Sequence, residues 1–148
     1  MGLTSALSYG FDAEAGVTLR AVGGGTIVTT TASTALALGT NSTAFWTLSD
    51  TPHLELAIVI FVESTDDTTM NETYQFDVEV DTTVGFASAV AVASVVVPAA
   101  GAPGFYSVTV SGKTIEKFEP GATHIRLNAV LGGTTPILAY GAWLAPSL

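Results

Sequence analysis

The chain is predicted to be an all-β domain, a two-sheet antiparallel sandwich of jelly-roll type with about eight strands. Three observations carry the prediction. Apolar and polar residues alternate with a period of two over much of the chain, which places successive side chains on opposite faces of a strand. No run of a dozen residues repeats apolar positions at i, i+3, i+4 and i+7 between capping residues, so helix signals are nearly absent. Turn-forming clusters recur about every ten residues, as in sandwiches and barrels.

Taken in order, residues 1–25 read as an N-terminal arm or loop ending in Gly23-Gly24-Gly25, and residues 26–148 as one sandwich domain. Residues 26–31 and 35–38 supply one or two strands. The clearest strand is 54–63, where Leu54, Leu56, Ile58, Ile60 and Val62 make a strongly apolar face. Glu55, Ala57, Val59, Phe61 and Glu63 make a mixed one, as expected of a central strand. In residues 74–81, Tyr74, Phe76, Val78 and Val80 alternate with Gln75, Asp77, Glu79 and Asp81, so one face is polar. Residues 87–97 form a strand of valines and small residues, ended by Pro98 and a turn through Gly104. Residues 105–110 and 113–118 are predicted to pair as a hairpin about Ser111-Gly112. Residues 122–130 and 137–144 close the fold, bringing Ile125, Leu127, Tyr140 and Trp143 within reach of a core.

A chain of 148 residues is long enough for one core that buries roughly two-thirds of the unfolded surface. It has no cysteine, hence no disulfide and no thiolate chemistry. Residues 1–10 lack the basic and apolar regions of a secretion signal, and the apolar stretch 86–97 is too short for a membrane helix. No membrane partner is expected. A net charge of −9 with only four basic residues, Arg20, Lys113, Lys117 and Arg126, disfavours nucleic acid, whose phosphates need many cations.

The anomaly is charge density. Only 11% of residues are charged, against about 25% in an ordinary domain, and the mean hydropathy is positive. Some apolar surface is therefore expected to be covered by other chains, and a homo-oligomer, dimer or trimer, is predicted.

Candidate chemistry is sparse. Asp66, Asp67 and Glu72 share one loop and could supply oxygens to Ca2+, but the EF-hand spacing is missing and a solvated turn is the simpler reading. His53 and His124 are far apart, with no further ligands at metal-binding spacing. No Gly-x-Ser-x-Gly elbow accompanies the serines, and the glycine-rich turns lack the lysine and helix of a phosphate loop. No catalytic residue, cofactor or enzymatic activity is expected. Leu3, Leu7, Tyr9, Phe11 and Leu19 of the arm, with Trp46, are the candidate contact residues for neighbouring chains.

The segments LELAIVIFVE at 54–63, YQFDVEVD at 74–81, THIRLN at 123–128, GGTTP at 132–136 and AWL at 142–144 together resemble the jelly-roll capsid cement proteins of tailed bacteriophages. The resemblance spans roughly residues 54–148 and is strongest in the closing strand pair. It implies a non-enzymatic decoration protein that binds the outer face of the phage head as a symmetric oligomer and bridges major capsid protein subunits. By the same resemblance it would be assembled in the host cytoplasm and end on the virion. The alternative is a carbohydrate- or receptor-binding jelly roll of a fibre or tail, which would use exposed aromatics such as Trp46 and an ion in the acidic loop.

Overall fold

The structure is a computed structural model describing residues 18–38 and 55–146. Its strands are β1 (Thr18–Arg20), β2 (Thr26–Ile27), β3 (Thr31–Ala32), β4 (Leu36–Ala37), β5 (Glu55–Thr65), β6 (Thr73–Asp81), β7 (Val90–Val97), β8 (Gly104–Ser111), β9 (His124–Gly132) and β10 (Leu138–Pro146). One helix, α1 (Gly112–Phe118), lies among the described residues.

All described pairings are antiparallel and fall into two sheets. The first runs β1-β10-β5-β8, with β2 also on β10; the second runs β3-β9-β6-β7, with β4 also on β9. Because β1 and β2 share a partner, as do β3 and β4, the ten strands occupy eight positions. Numbered along the chain, these run 1-8-3-6 in one sheet and 2-7-4-5 in the other. Positions 1 and 8, 2 and 7, 3 and 6, and 4 and 5 pair, which is one long hairpin rolled into two sheets: a jelly roll.

The alternation read from the sequence decides which faces meet. Leu56, Ile58, Ile60 and Val62 of β5 point inward with Tyr140, Ala142 and Leu144 of β10, against Tyr74, Phe76, Val78 and Val80 of β6 and Ile125, Leu127 and Ala129 of β9. Phe76 and Tyr140 meet edge to face across the sandwich, with ring centroids 4.8 Å apart, the geometry their quadrupoles favour.

Several expectations are corrected. Residues 113–118 are not the second strand of a hairpin but the body of α1. Ser111 leaves β8 in an extended conformation, and its hydroxyl accepts from the Thr114 amide, capping the first turn. Ile115 is buried in the core and fastens the helix there, while Lys117 sits in the last turn where the dipole favours a cation. A two-turn helix carries one core residue, so no helical period could show in the sequence. Ser111→Ala is expected to cost about 1 kcal/mol, read as a lower urea midpoint at unchanged slope; an unmoved midpoint would mean that the cap is idle.

Part of the presumed arm belongs to the sandwich. Thr18–Arg20 pairs with β10, and Leu19 lies in the core at 1% exposure, so the β-structure starts before residue 26. Residues 26–31 are broken rather than continuous, because β2 pairs in the first sheet and β3 in the second. The strand expected at 87–97 begins at Val90; before it Phe86 has φ 50° and Asp81 gathers the turn.

Two close approaches fix the loops around the closing strand. Gly133 has φ 99°, and a Cβ there would lie 2.6 Å from the Asn71 carbonyl oxygen, so the β9–β10 loop docks on the β5–β6 loop only with glycine. At Gly141 a Cβ would collide with Val22.

Candidate interaction surface

The two outward faces of the sandwich differ in chemistry. On the second sheet, β6 and β9 place Asp77 beside Asn128 and Glu79 beside Arg126. Glu79 accepts from Arg126 Nε at 2.7 Å and from Asn128 Nδ2 at 3.1 Å. The Arg126 guanidinium also lies 4.2 Å from the centroid of the Phe86 ring, a cation–π contact. Along β6 and β9 this face is polar and internally paired, while towards β7 it carries exposed Ala91 and Val96.

On the first sheet the register sets Phe61 between Gly141 and Phe105, Val59 between Trp143 and Ser107, and Ala57 between Ala145 and Thr109. Phe61 and Phe105 stack with centroids 4.7 Å apart. Charge enters these rows only at Glu55 and Glu63, at the two ends of β5. Trp143 and Ala145 are buried, Phe61, Val59 and Ala57 half-buried, and Phe105 is 65% exposed. The mixed face of β5 is thus buried on its β10 side and opens on the other into an uncharged strip along β8, where Phe105, Ser107 and Thr109 are exposed.

The acidic residues do other work. Asp81 is 1% exposed; its Oδ1 accepts from the Thr83 amide at 2.8 Å and its Oδ2 from the Ser88 amide at 2.9 Å. These amides, the Thr83 amide foremost, hold its carboxyl below the usual carboxylate value. Asp66 is also lowered, chiefly by the Thr68 hydroxyl and then the Thr68 amide. Glu72 is 5% exposed, accepts from Thr69 and Thr135, and is lowered chiefly by the Thr69 hydroxyl. Its second oxygen is buried without a hydrogen-bond partner. Asp67 is exposed. Among the described residues no three His, Cys, Asp or Glu side chains converge as a metal site. Asp66 and Glu72 thus organise the loop that leads into β6, and Asn71 ties it to Thr134 at 2.8 Å.

No family model, curated protein or solved structure matches the chain. The geometry stands by itself.

Of the predicted contact residues, Leu19 is a core side chain and not a surface one; Leu3, Leu7, Tyr9, Phe11 and Trp46 lie outside the described residues, as does His53. His124 is half-buried, its ring nitrogen 2.8 Å from the Thr123 hydroxyl. Sequence reasoning passed over Phe61, Val59 and Phe105 as a surface. Their signal was present in the apolar members of the mixed face of β5, but their union with β8 and β10 needs the register. No helix among the described residues is long and apolar enough to cross a membrane.

Proposed function

We propose that this chain is a capsid decoration (cement) protein: a non-enzymatic homo-oligomer on the outer surface of a phage head that stabilises contacts between major capsid subunits. One observation carries the reading, the one-sidedness of the sandwich. On the first sheet the exposed strip of Phe105, Ser107 and Thr109, beside half-buried Ala57, Val59 and Phe61, carries no charge, while β6 and β9 of the second sheet carry a polar, self-paired strip. Such a body suits being laid flat on a larger surface through many weak contacts, its polar side left to water. The resemblance of residues 54–148 to jelly-roll cement proteins supports the same reading, as does the low charge density, which leaves neutral side chains to cover the contact.

The test mixes purified protein with shells of its own phage and examines them by electron microscopy and thermal release. Added density on the outer surface and a higher shell disruption temperature are expected. Absence of binding, or specific capture of a glycan on an array with no affinity for the shell, overturns the proposal. Residues 1–16 are assigned to this contact. Their deletion is expected to weaken shell binding roughly tenfold or more while the far-ultraviolet circular dichroism stays that of a β-sandwich. Unchanged binding refutes the assignment.

A further inference from the structure

The sandwich has four sheet edges, and their treatment differs. Those at β1 and β2 and at β3 and β4 are made of strands of two or three residues, too short to template another chain. The β7 edge is eight residues long but bulged: Val78 pairs with Ala93 and Glu79 with Ala91, leaving Val92 extra. The fourth edge, β8, is eight residues long and pairs with β5 in unbroken register from Glu55–Ser111 to Val62–Gly104. It contains no charge, no proline and no bulge. Its other side is free of strand pairing among the described residues. Among the described residues β8 packs chiefly against β5, β7 and α1, and the strand itself carries none of the charges, prolines or bulges that blunt an edge.

Charge indicates what pairs there. No Asp, Glu, Lys or Arg occurs between Asp81 and Lys113, and that uncharged stretch folds into β7 and β8, which contact each other on one side of the sandwich. Two copies of a chain with a net charge of −9 repel wherever acidic surfaces meet. They can approach along this side without opposing like charges. A basic partner would instead be drawn to the acidic surface elsewhere.

We propose that a second copy of this chain docks on β8, the two β8 strands pairing antiparallel about a two-fold axis to join two first sheets into one. A two-fold axis perpendicular to the sheet keeps the outer faces on the same side and sets residues of one face opposite each other. Phe105, Ser107 and Thr109 of one copy then face the same three residues of the other, and the two uncharged β8 strips become continuous. The contact is assigned to Phe105–Thr109 of β8, whereas α1 begins directly after Ser111 and packs against both β7 and β8. The proposal rests on the self-associating part of the decoration reading and does not require the shell.

Sedimentation velocity at about 10 µM on the full chain tests it. The wild type is expected at twice its 15.1 kDa. Ser107→Lys with Thr109→Lys changes two exposed side chains and sets like charges opposite each other across the axis. It is expected to weaken the dimer roughly 100-fold with circular dichroism and Tm of the monomer fold retained. Ala91→Lys with Val96→Lys, also exposed but on β7, should leave the dimer intact. A monomeric or trimeric wild type overturns the proposal. So does a dimer that survives the β8 lysines or is split by the β7 ones, and these two results leave the decoration reading standing. A dimer that splits as expected but binds no shell overturns the decoration reading alone.

Discussion

Phe76→Ala is expected to lower the unfolding free energy by about 4 kcal/mol, a large fraction of the roughly 5–15 kcal/mol that holds a single domain together. Phe76 sits near the middle of β6, paired with Val95 on one side and Ala129 on the other, and is fully buried. Its ring packs on Tyr140 of the opposite sheet, so truncation removes apolar contact and leaves a cavity where the two sheets meet through aromatic rings. With no disulfide to restrain the unfolded chain, the loss falls wholly on packing. In thermal unfolding the Tm should drop by about 10 °C. Phe76→Leu, which refills most of the volume, should cost about 1 kcal/mol, and Val96→Ala on the exposed side of β7 should stay within about 0.5 kcal/mol. Equal effects of the core and exposed substitutions would refute this account of the core.

The second large effect is the acid response of Asp81. Asp66, Glu72 and Asp81 are all more acidic in the folded chain than is usual, because amides and hydroxyls donate to their ionised forms. For such groups the unfolded chain takes up protons first as pH falls. The stability they contribute is therefore complete above about pH 5 and is lost as pH drops below about 4 through their folded values. The overall charge of −9 works in the opposite sense, since its self-repulsion fades on approach to the isoelectric point near 4.2. Asp81→Asn separates the two. The amide offers one acceptor oxygen where Asp81 uses two, and its nitrogen would face an N–H donor at Thr83 or Ser88. At pH 7 the variant should melt about 5 °C below the wild type, and the gap should close towards pH 3 as the wild-type carboxylate protonates. A gap constant with pH would show that the ionised form is not what holds the turn.

The strands β5, β6 and β9 were legible from sequence because a half-buried strand repeats its apolar spacing over several positions, and this local signal survives whatever the strand packs on, while β10, buried on both faces from Leu138 to Ala145, shows as an unbroken run low in charge. Leu56 to Val62 and Tyr74 to Val80 are core residues in the structure as in the pattern. The helix at 112–118 was illegible because its single buried anchor, Ile115, gives no period, and Ser111-Gly112 serves a turn as readily as a cap. Leu19 was misplaced for a related reason: a three-residue strand cannot display alternation, and its burial depends on β10, far along the chain. For the acidic loop the sequence offers a solvated turn or, less simply, a Ca2+ site, because carboxylates in a row carry no mark of what they accept from. Only the fold directs Asp66 at the Thr68 amide and Glu72 at the Thr135 hydroxyl.

Sequence by itself determined the class of this protein, an all-β sandwich without cysteine and with little charge, because composition and a period of two are properties of neighbouring residues. Tertiary structure alone decided the jelly-roll order, the uncharged strip along β8 and the β8 edge left without a second strand partner among the described residues, because each depends on which strands pair and in what register. Phe61 and Phe105, distant in the chain, become one stacked patch only when β5 and β8 align. The uncharged stretch ending at Lys113 becomes a surface only when β7 and β8 come together on one side of the sandwich.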